Sequence, residues 1–229
     1  MWKARVFTLY PELFPGPLDS GLYKKAREKK IWSLDVINIR EYAEDKHKTV
    51  DDTPFGGGSG MVMRADVLAK SLDKNLNNKN EKVIYLSPKG KKFDQTYARE
   101  ISNNNLNIIC GHFEGVDQRI LETRNIEEIS IGDFIMSGGE AGAFVIIDTV
   151  VRLLPGVLGN PNSLTEETFE NDLLEYPQYT KPQKWEKKEV PSVLLSGDHA
   201  KIKDWRLAQS EDITRRRRPD LWSKYKKKK

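Results

Sequence analysis

Four glycine-rich segments hold the residues best suited to chemistry. They are DDTPFGGGSGMVM from Asp51 to Met63, YLSPKGK from Tyr85 to Lys91, CGHFEGVD from Cys110 to Asp117, and SIGDFIMSGGEAGAFVIID from Ser130 to Asp148. Glycine opens backbone conformations closed to other residues and leaves main-chain amides accessible to an anion. The second and third segments leave apolar, strand-like runs, and α/β sheets place ligands at such strand ends. In the fourth, Gly138 and Gly139 open a helix, a placement that suits a nucleotide or its analogue. Tight turns with no ligand are the alternative. Neither GxGxxG before a helix nor GxxxxGK[ST] occurs, which disfavours NAD enzymes and P-loop NTPases. A single cysteine, Cys110, excludes an intramolecular disulfide or a cysteine-clustered zinc site, and three scattered histidines argue against a metal centre.

Charge adds a second signal. The formal net charge is +4, but the last sixteen residues, TRRRRPDLWSKYKKKK, carry nine Lys/Arg and one Asp, leaving 29 Lys/Arg against 33 Asp/Glu elsewhere. A basic tail with Trp222 and Tyr225 offers phosphate contacts and stacking surfaces, although a solvated, frayed terminus gives the same composition.

These segments need a frame to hold them. With 229 residues, 38% hydrophobic and 31% charged, the chain can bury a substantial core. Its longest apolar stretch, residues 141–151, is interrupted by Asp148 and too short to span a bilayer, and the first residues lack a secretory pattern, so a cytoplasmic protein is expected. Strand-like runs at 5–9, 34–39, 83–86, 106–110 and 134–136 alternate with helical patterns at 21–30, 64–72, 93–102 and 141–154, which predicts an α/β sheet. Pro155 and Gly156 stop the last helix, and GNPNSL from Gly159 reads as a linker. Beyond it, Asp198 can cap a helix over 200–213. The expected domains are therefore 1–158, a linker at 159–172, and a small helical domain at 173–229.

The same residues carry a more specific likeness. PFGGGSGMVM (54–63), LSPKGKKFDQ (86–95), CGHFEGVDQR (110–119), SIGDFIMSGGE (130–140), RLLPGVLGN (152–160), LLEYPQYTKP (173–182) and SGDHAKIKDWR (196–206) occur in an order that resembles the bacterial tRNA (guanine-N1)-methyltransferases, the TrmD family of the SPOUT class. Seven ordered motifs cover nearly the whole chain. The resemblance implies an N-terminal domain with a deep trefoil knot, a helical C-terminal domain that binds tRNA, and a homodimer with active sites shared between subunits. It further implies methyl transfer from S-adenosylmethionine to N1 of guanosine 37, beside the anticodon. Magnesium is a cofactor the resemblance allows, but no carboxylate cluster marks a metal site.

Carried over residue by residue, the resemblance places the cofactor against Tyr85, Leu86, Ser87 and Pro88, against Gly111, Phe113, Glu114 and Gly115, and against Ile131, Gly132, Asp133, Phe134, Ile135, Met136, Gly138 and Gly139. Glu175 would face its amino group. Catalysis falls to Glu167 as general base and Arg152 as stabiliser of charge on guanine O6, chemistry that N1 methylation requires because neutral guanine carries a proton there. The family often has aspartate at the base position, and Glu166 stands next to Glu167, so either glutamate can be the base. RNA contacts fall to Gly57, Gly58, His112, Lys181 and Arg206, with His112 and Phe113 replacing the commoner Arg-Tyr pair. A non-catalytic RNA-binding scaffold is the competing reading.

Overall fold

The structure, a computed structural model, describes residues 1–77, 81–159, 168–169 and 172–228. In chain order the elements are β1 (Trp2–Thr8), α1 (Gly21–Glu28), β2 (Trp32–Asn38), β3 (Asp51–Asp52), β4 (Val62–Met63), α2 (Ala65–Asn75), β5 (Val83–Lys92), α3 (Gln95–Ile101), β6 (Leu106–Ile109), α4 (Gln118–Thr123), β7 (Glu127–Ser130) and α5 (Glu140–Val151), followed by β8 (Lys184–Trp185), β9 (Lys188–Glu189), α6 (His199–Arg217) and α7 (Pro219–Lys228). The chain divides into two compact units, Met1–Gly159 and Asn160–Lys229.

In the first unit five parallel strands form one sheet in the order β2-β1-β6-β5-β7. Helices cover both faces, so the strands read as nearly continuous apolar runs. The pleat sends alternate residues to opposite cores. Ala4, Val6, Ile84, Leu106 and Ile108 pack with α1, α3 and α5, whereas Phe7, Val83, Tyr85 and Ile109 pack with α2 and α4. Helix α5 is apolar almost all round, and its Ala143, Ile146, Ile147, Val150 and Val151 are fully buried. One polar group crosses the second layer. Arg5, 7% exposed, donates to Asn107 Oδ1 at 3.0 Å and pairs with Glu81 at 3.3 Å, which compensates its burial.

The α/β expectation holds, with one strand displaced. Residues 134–136 form no strand; they belong to an irregular segment, and the fifth strand is β7, just earlier in the chain. Phe134, Ile135 and Met136 are 55%, 82% and 37% exposed, so their apolar character serves a surface rather than the sheet. The second unit contains α6 and α7 with a two-stranded ribbon of β8 and β9. Asp198 caps α6 by accepting from Lys201 N at 3.1 Å, as its position predicts. The basic tail is helical through Lys228: Pro219 starts α7, and Tyr225 Oη donates to Glu211 on α6 at 2.7 Å.

Because Ile147 has no exposure and lies between sheet and helices, Ile147→Ala is expected to cost about 2–5 kcal/mol through reduced burial and an unfilled cavity. Urea denaturation followed by circular dichroism measures it.

Candidate active site

An excursion within β5 and the loops that leave the C-terminal ends of β6 and β7 line a cavity of about 290 Å³. This is the edge of a parallel sheet where ligands bind, and the volume is at the small end of ligand pockets, which run from about 300 Å³ upward. The first loop is an excursion within β5. Leu86 and Lys91 both pair with Ile129 of β7, so residues 87–90 bulge away from the sheet. Gly90 returns the chain so close to the backbone of Glu128 and Ile129 that no side chain fits there.

The second loop, after β6, turns at Phe113 and Gly115, with φ of 59° and 111°. It is tied to the 51–63 hairpin by backbone bonds from Glu114 N to Met61 O (2.9 Å), Met63 N to Gly115 O (2.9 Å) and Asp117 N to Met63 O (3.0 Å). The third loop runs from β7 to α5 and presses against the second. Gly139 N donates to Gly111 O at 3.0 Å, and a Cβ on Gly139 would stand 2.7 Å from Cys110 Cα. Likewise, a Cβ on Gly111 would stand 2.5 Å from the Tyr85 ring. Glycine is required at both positions by close approach.

The cavity is lined by Tyr85 to Pro88, Gly111, Phe113 to Gly115, Ile131, Gly132, Phe134 to Met136, Gly138 and Gly139, which brings together fifteen of the expected cofactor residues. Asp133 is exposed and is not among the lining residues, and Glu175 belongs to the second unit, where its carboxylate accepts from Gln178 at 2.6 Å. Lining residues that sequence reasoning missed include Lys89, Gln118 and Glu128. Lys89 and Gln118 lie inside the LSPKGKKFDQ and CGHFEGVDQR motifs, whereas Glu128 is brought in by β7, a strand the apolar pattern does not reveal. Burial first, then the nearby Glu128 carboxylate, raises the Tyr85 hydroxyl above its usual range against a hydrogen bond from the Val116 backbone. Its aromatic body forms a wall at neutral pH.

Cys110 is wholly buried, and burial followed by the Glu140 carboxylate pushes its thiol well above the ordinary range. A thiol so placed stays protonated and packs as a small apolar group. His112 faces inward: its side chain is 12% exposed, with Nε2 at 2.9 and 2.8 Å from the two oxygens of Glu140. Arg152 caps the far end of α5, whose twelve residues span about 18 Å from the cavity. Near it, burial and a hydrogen bond to Asp148 push Tyr23 up to about 12, an effect the Arg152 charge opposes. Glu166 and Glu167 lie outside the described residues, as does most of the linker. Gly57 and Gly58 are exposed in the hairpin with φ of 80° and 122°. Lys181 is exposed in the second unit, and the Arg206 guanidinium sits 4.7 Å above the Tyr176 ring. Among the described residues no three His, Cys, Asp or Glu gather as a metal site, and no helix is long and apolar enough to cross a membrane.

A glycine-tight cavity of mixed polar and apolar lining at the ends of parallel strands, with carboxylates at its margin and the cysteine sealed in the core, places the chain among α/β proteins with a candidate ligand site at the sheet edge. A family model described as tRNA (Guanine-1)-methyltransferase TrmD matches residues 2–224, and the chain belongs to this family. A relative from Pelagibacter ubique named tRNA (guanine-N(1)-)-methyltransferase is 70% identical over 99% of this chain and all of its own length. Proteins of the same name from Chelativorans and Bartonella tribocorum are each 54% identical, over 98% and 99% of this chain and 96% and 97% of their own.

Gly139→Ala is expected to destabilise the first unit by about 1–3 kcal/mol, since its Cβ would meet backbone rather than a movable side chain. Gly159→Ala, with open space around it, is expected to change stability by less than about 0.5 kcal/mol. Chemical denaturation of the two variants makes the comparison.

Proposed function

We propose that this protein transfers a methyl group from S-adenosylmethionine to N1 of guanosine 37 in tRNA, forming 1-methylguanosine. The observation that carries the reading is the family match across residues 2–224 together with a cavity lined by the loops in which the family is expected to hold its cofactor. The residues suit the ligand. In the cradle formed around Gly111, Gly138 and Gly139, a Cβ at any of the three would collide with Tyr85, His112 or the Cys110 backbone, so glycine lets the loops pack closely enough to form a wall from which backbone groups would reach adenine and ribose. Leu86, Phe134, Ile135 and Met136 supply apolar contact for the base, and Glu114 offers a negative charge to the sulfonium end.

Bound S-adenosylmethionine supplies an electrophilic methyl group. The protein's task is to bring guanine to it and manage the proton on N1. Glu167, or Glu166 beside it, accepts that proton as the N1–carbon bond forms. Arg152 stabilises the negative charge that gathers on O6, most effectively where water is excluded. Arg152 is about a helix length from the cavity of its own subunit, which favours a homodimer in which one subunit's cavity works with the other's catalytic residues. By the family resemblance, the loops around residues 110–111 and 138–139 would belong to a chain threaded as a trefoil knot. Residues 159–172 would serve as a linker to a C-terminal tRNA-binding domain containing Lys181 and Arg206, and Gly57 and Gly58 would approach the flipped base. Acting on tRNA, the protein would work in the cytoplasm.

Transfer of radiolabelled methyl from S-adenosylmethionine to transcripts bearing guanosine or adenosine at position 37 tests the reading. Label on the guanosine transcript alone supports it, and label on neither overturns it. Glu167→Gln is expected to slow single-turnover transfer by about 10²–10⁴-fold, and full rates for both Glu167→Gln and Glu166→Gln would refute the assignment of the base.

The basic tail bears on affinity. Lys226 Nζ lies 5.5 Å above the Trp222 ring, and the Trp222 and Tyr225 rings are 5.5 Å apart, so α7 presents cations and aromatics together. Replacing Lys224, Lys226 and Lys227 by Gln is expected to flatten the salt dependence of tRNA affinity, with the log–log slope falling by about 0.7–0.9 for each phosphate that the variant no longer neutralises. Filter binding across a salt series measures the change.

A further inference from the structure

We propose that His112 and Glu140 form a latch that positions the cofactor cradle, so that His112 governs affinity for S-adenosylmethionine through Glu140 instead of touching RNA. The proposal rests on the reading of the cavity as a site for S-adenosylmethionine.

Glu140 is 4% exposed and begins α5. Thr8 Oγ1, at the end of β1, donates to its Oε1 at 2.5 Å, and Thr8 Oγ1 itself accepts from Tyr10 N at 2.9 Å. A carboxylate has only acceptors, so the His112 nitrogen facing both of its oxygens, Nε2, carries the hydrogen and donates. The Tyr10 ring packs on the imidazole at a centroid distance of 4.8 Å. His112 is anchored from the other side as well, since its backbone N lies 3.4 Å from Met63 Sδ.

One carboxylate therefore ties together the end of β1, the loop after β6 and the start of α5. The latter two carry the glycines of the cradle: Gly111 precedes His112, and Gly138 and Gly139 precede Glu140. His112 and Gly138 also form a bridge, and a Cβ on Gly138 would collide with the imidazole. The spacing between Gly111 and Gly138–Gly139 is held by a backbone bond on one side and by the latch on the other. Without the imidazole donor, a buried carboxylate keeps only Thr8 as a side-chain partner among the described residues. A buried charge so underpaired draws its surroundings open toward water, and the two loops that must part are the ones forming the cradle.

The experiment measures S-adenosylmethionine binding by calorimetry and steady-state kinetics on the full-length protein. Wild-type protein is titrated first; absence of binding there overturns the cofactor reading, not the latch. In His112→Leu, S-adenosylmethionine Kd and KM are expected to rise about tenfold or more, the range for loss of a hydrogen bond to a charged group, while tRNA KM stays within about threefold. His112→Gln, which can place an N–H near the position of Nε2, is expected to recover most of the affinity. Thr8→Val, which removes the other donor, is expected to weaken the cofactor in the same direction and carries the test should His112→Leu not fold. A lower melting temperature with unchanged Kd for the folded protein means a structural role only and overturns the proposal. So does a raised tRNA KM with unchanged cofactor Kd, which would return His112 to RNA contact.

Discussion

Two stretches of backbone meet without a side chain between them where Gly139 touches Cys110 and Gly111. The candidate site depends on that approach. It places the loop from β7 against the loop from β6, closes one side of the cavity, and sets where α5 begins. Helix α5 then runs beneath the sheet as its most apolar packing partner, so the approach that shapes the site also directs a large part of the core. The second core, against α2 and α4, supports the opposite side of the same loops through Met63 and Val116.

The polar chemistry of the first unit is arranged around this frame. Its buried charges have partners: Arg5 has Asn107 and Glu81, and Glu140 has Thr8 and His112. The cavity lining mixes apolar residues such as Leu86, Phe134 and Met136 with polar ones such as Ser87, Glu114 and Glu128. Arg152 caps α5 at the end opposite the loop that lines the cavity.

Membership in the TrmD family accounts for the order of the glycine motifs, and the structure gives several of their glycines a physical reason. Gly90, Gly111 and Gly139 allow close approach, while Gly115 and the hairpin glycines adopt positive φ. His112, where the resemblance expects Arg, is the departure with the clearest consequence, because its imidazole turns inward onto Glu140.

Much is legible in the residues alone. Alternating apolar runs and helical patterns define an α/β chain; apolar runs followed by glycine-containing turns mark the loops at 87–90 and after β6; Asp198 announces α6. These are local signals, in which residue type constrains a few neighbouring dihedral angles or one face of an element. Other features are not local. Residues 134–136 look like a strand because exposed and buried apolar residues are alike in sequence, and β7 is hidden by its glutamates, Glu127 and Glu128. Composition leaves open whether the basic tail is frayed, and the Tyr225 bond to Glu211 ties α7 to α6. His112 and Glu140 stand 28 residues apart, and Thr8 lies 132 residues before Glu140, so only the folded sheet could bring donors and acceptor together. Residue type determined what each group can do; tertiary structure decided which groups meet, because pairing depends on distances that local sequence does not encode.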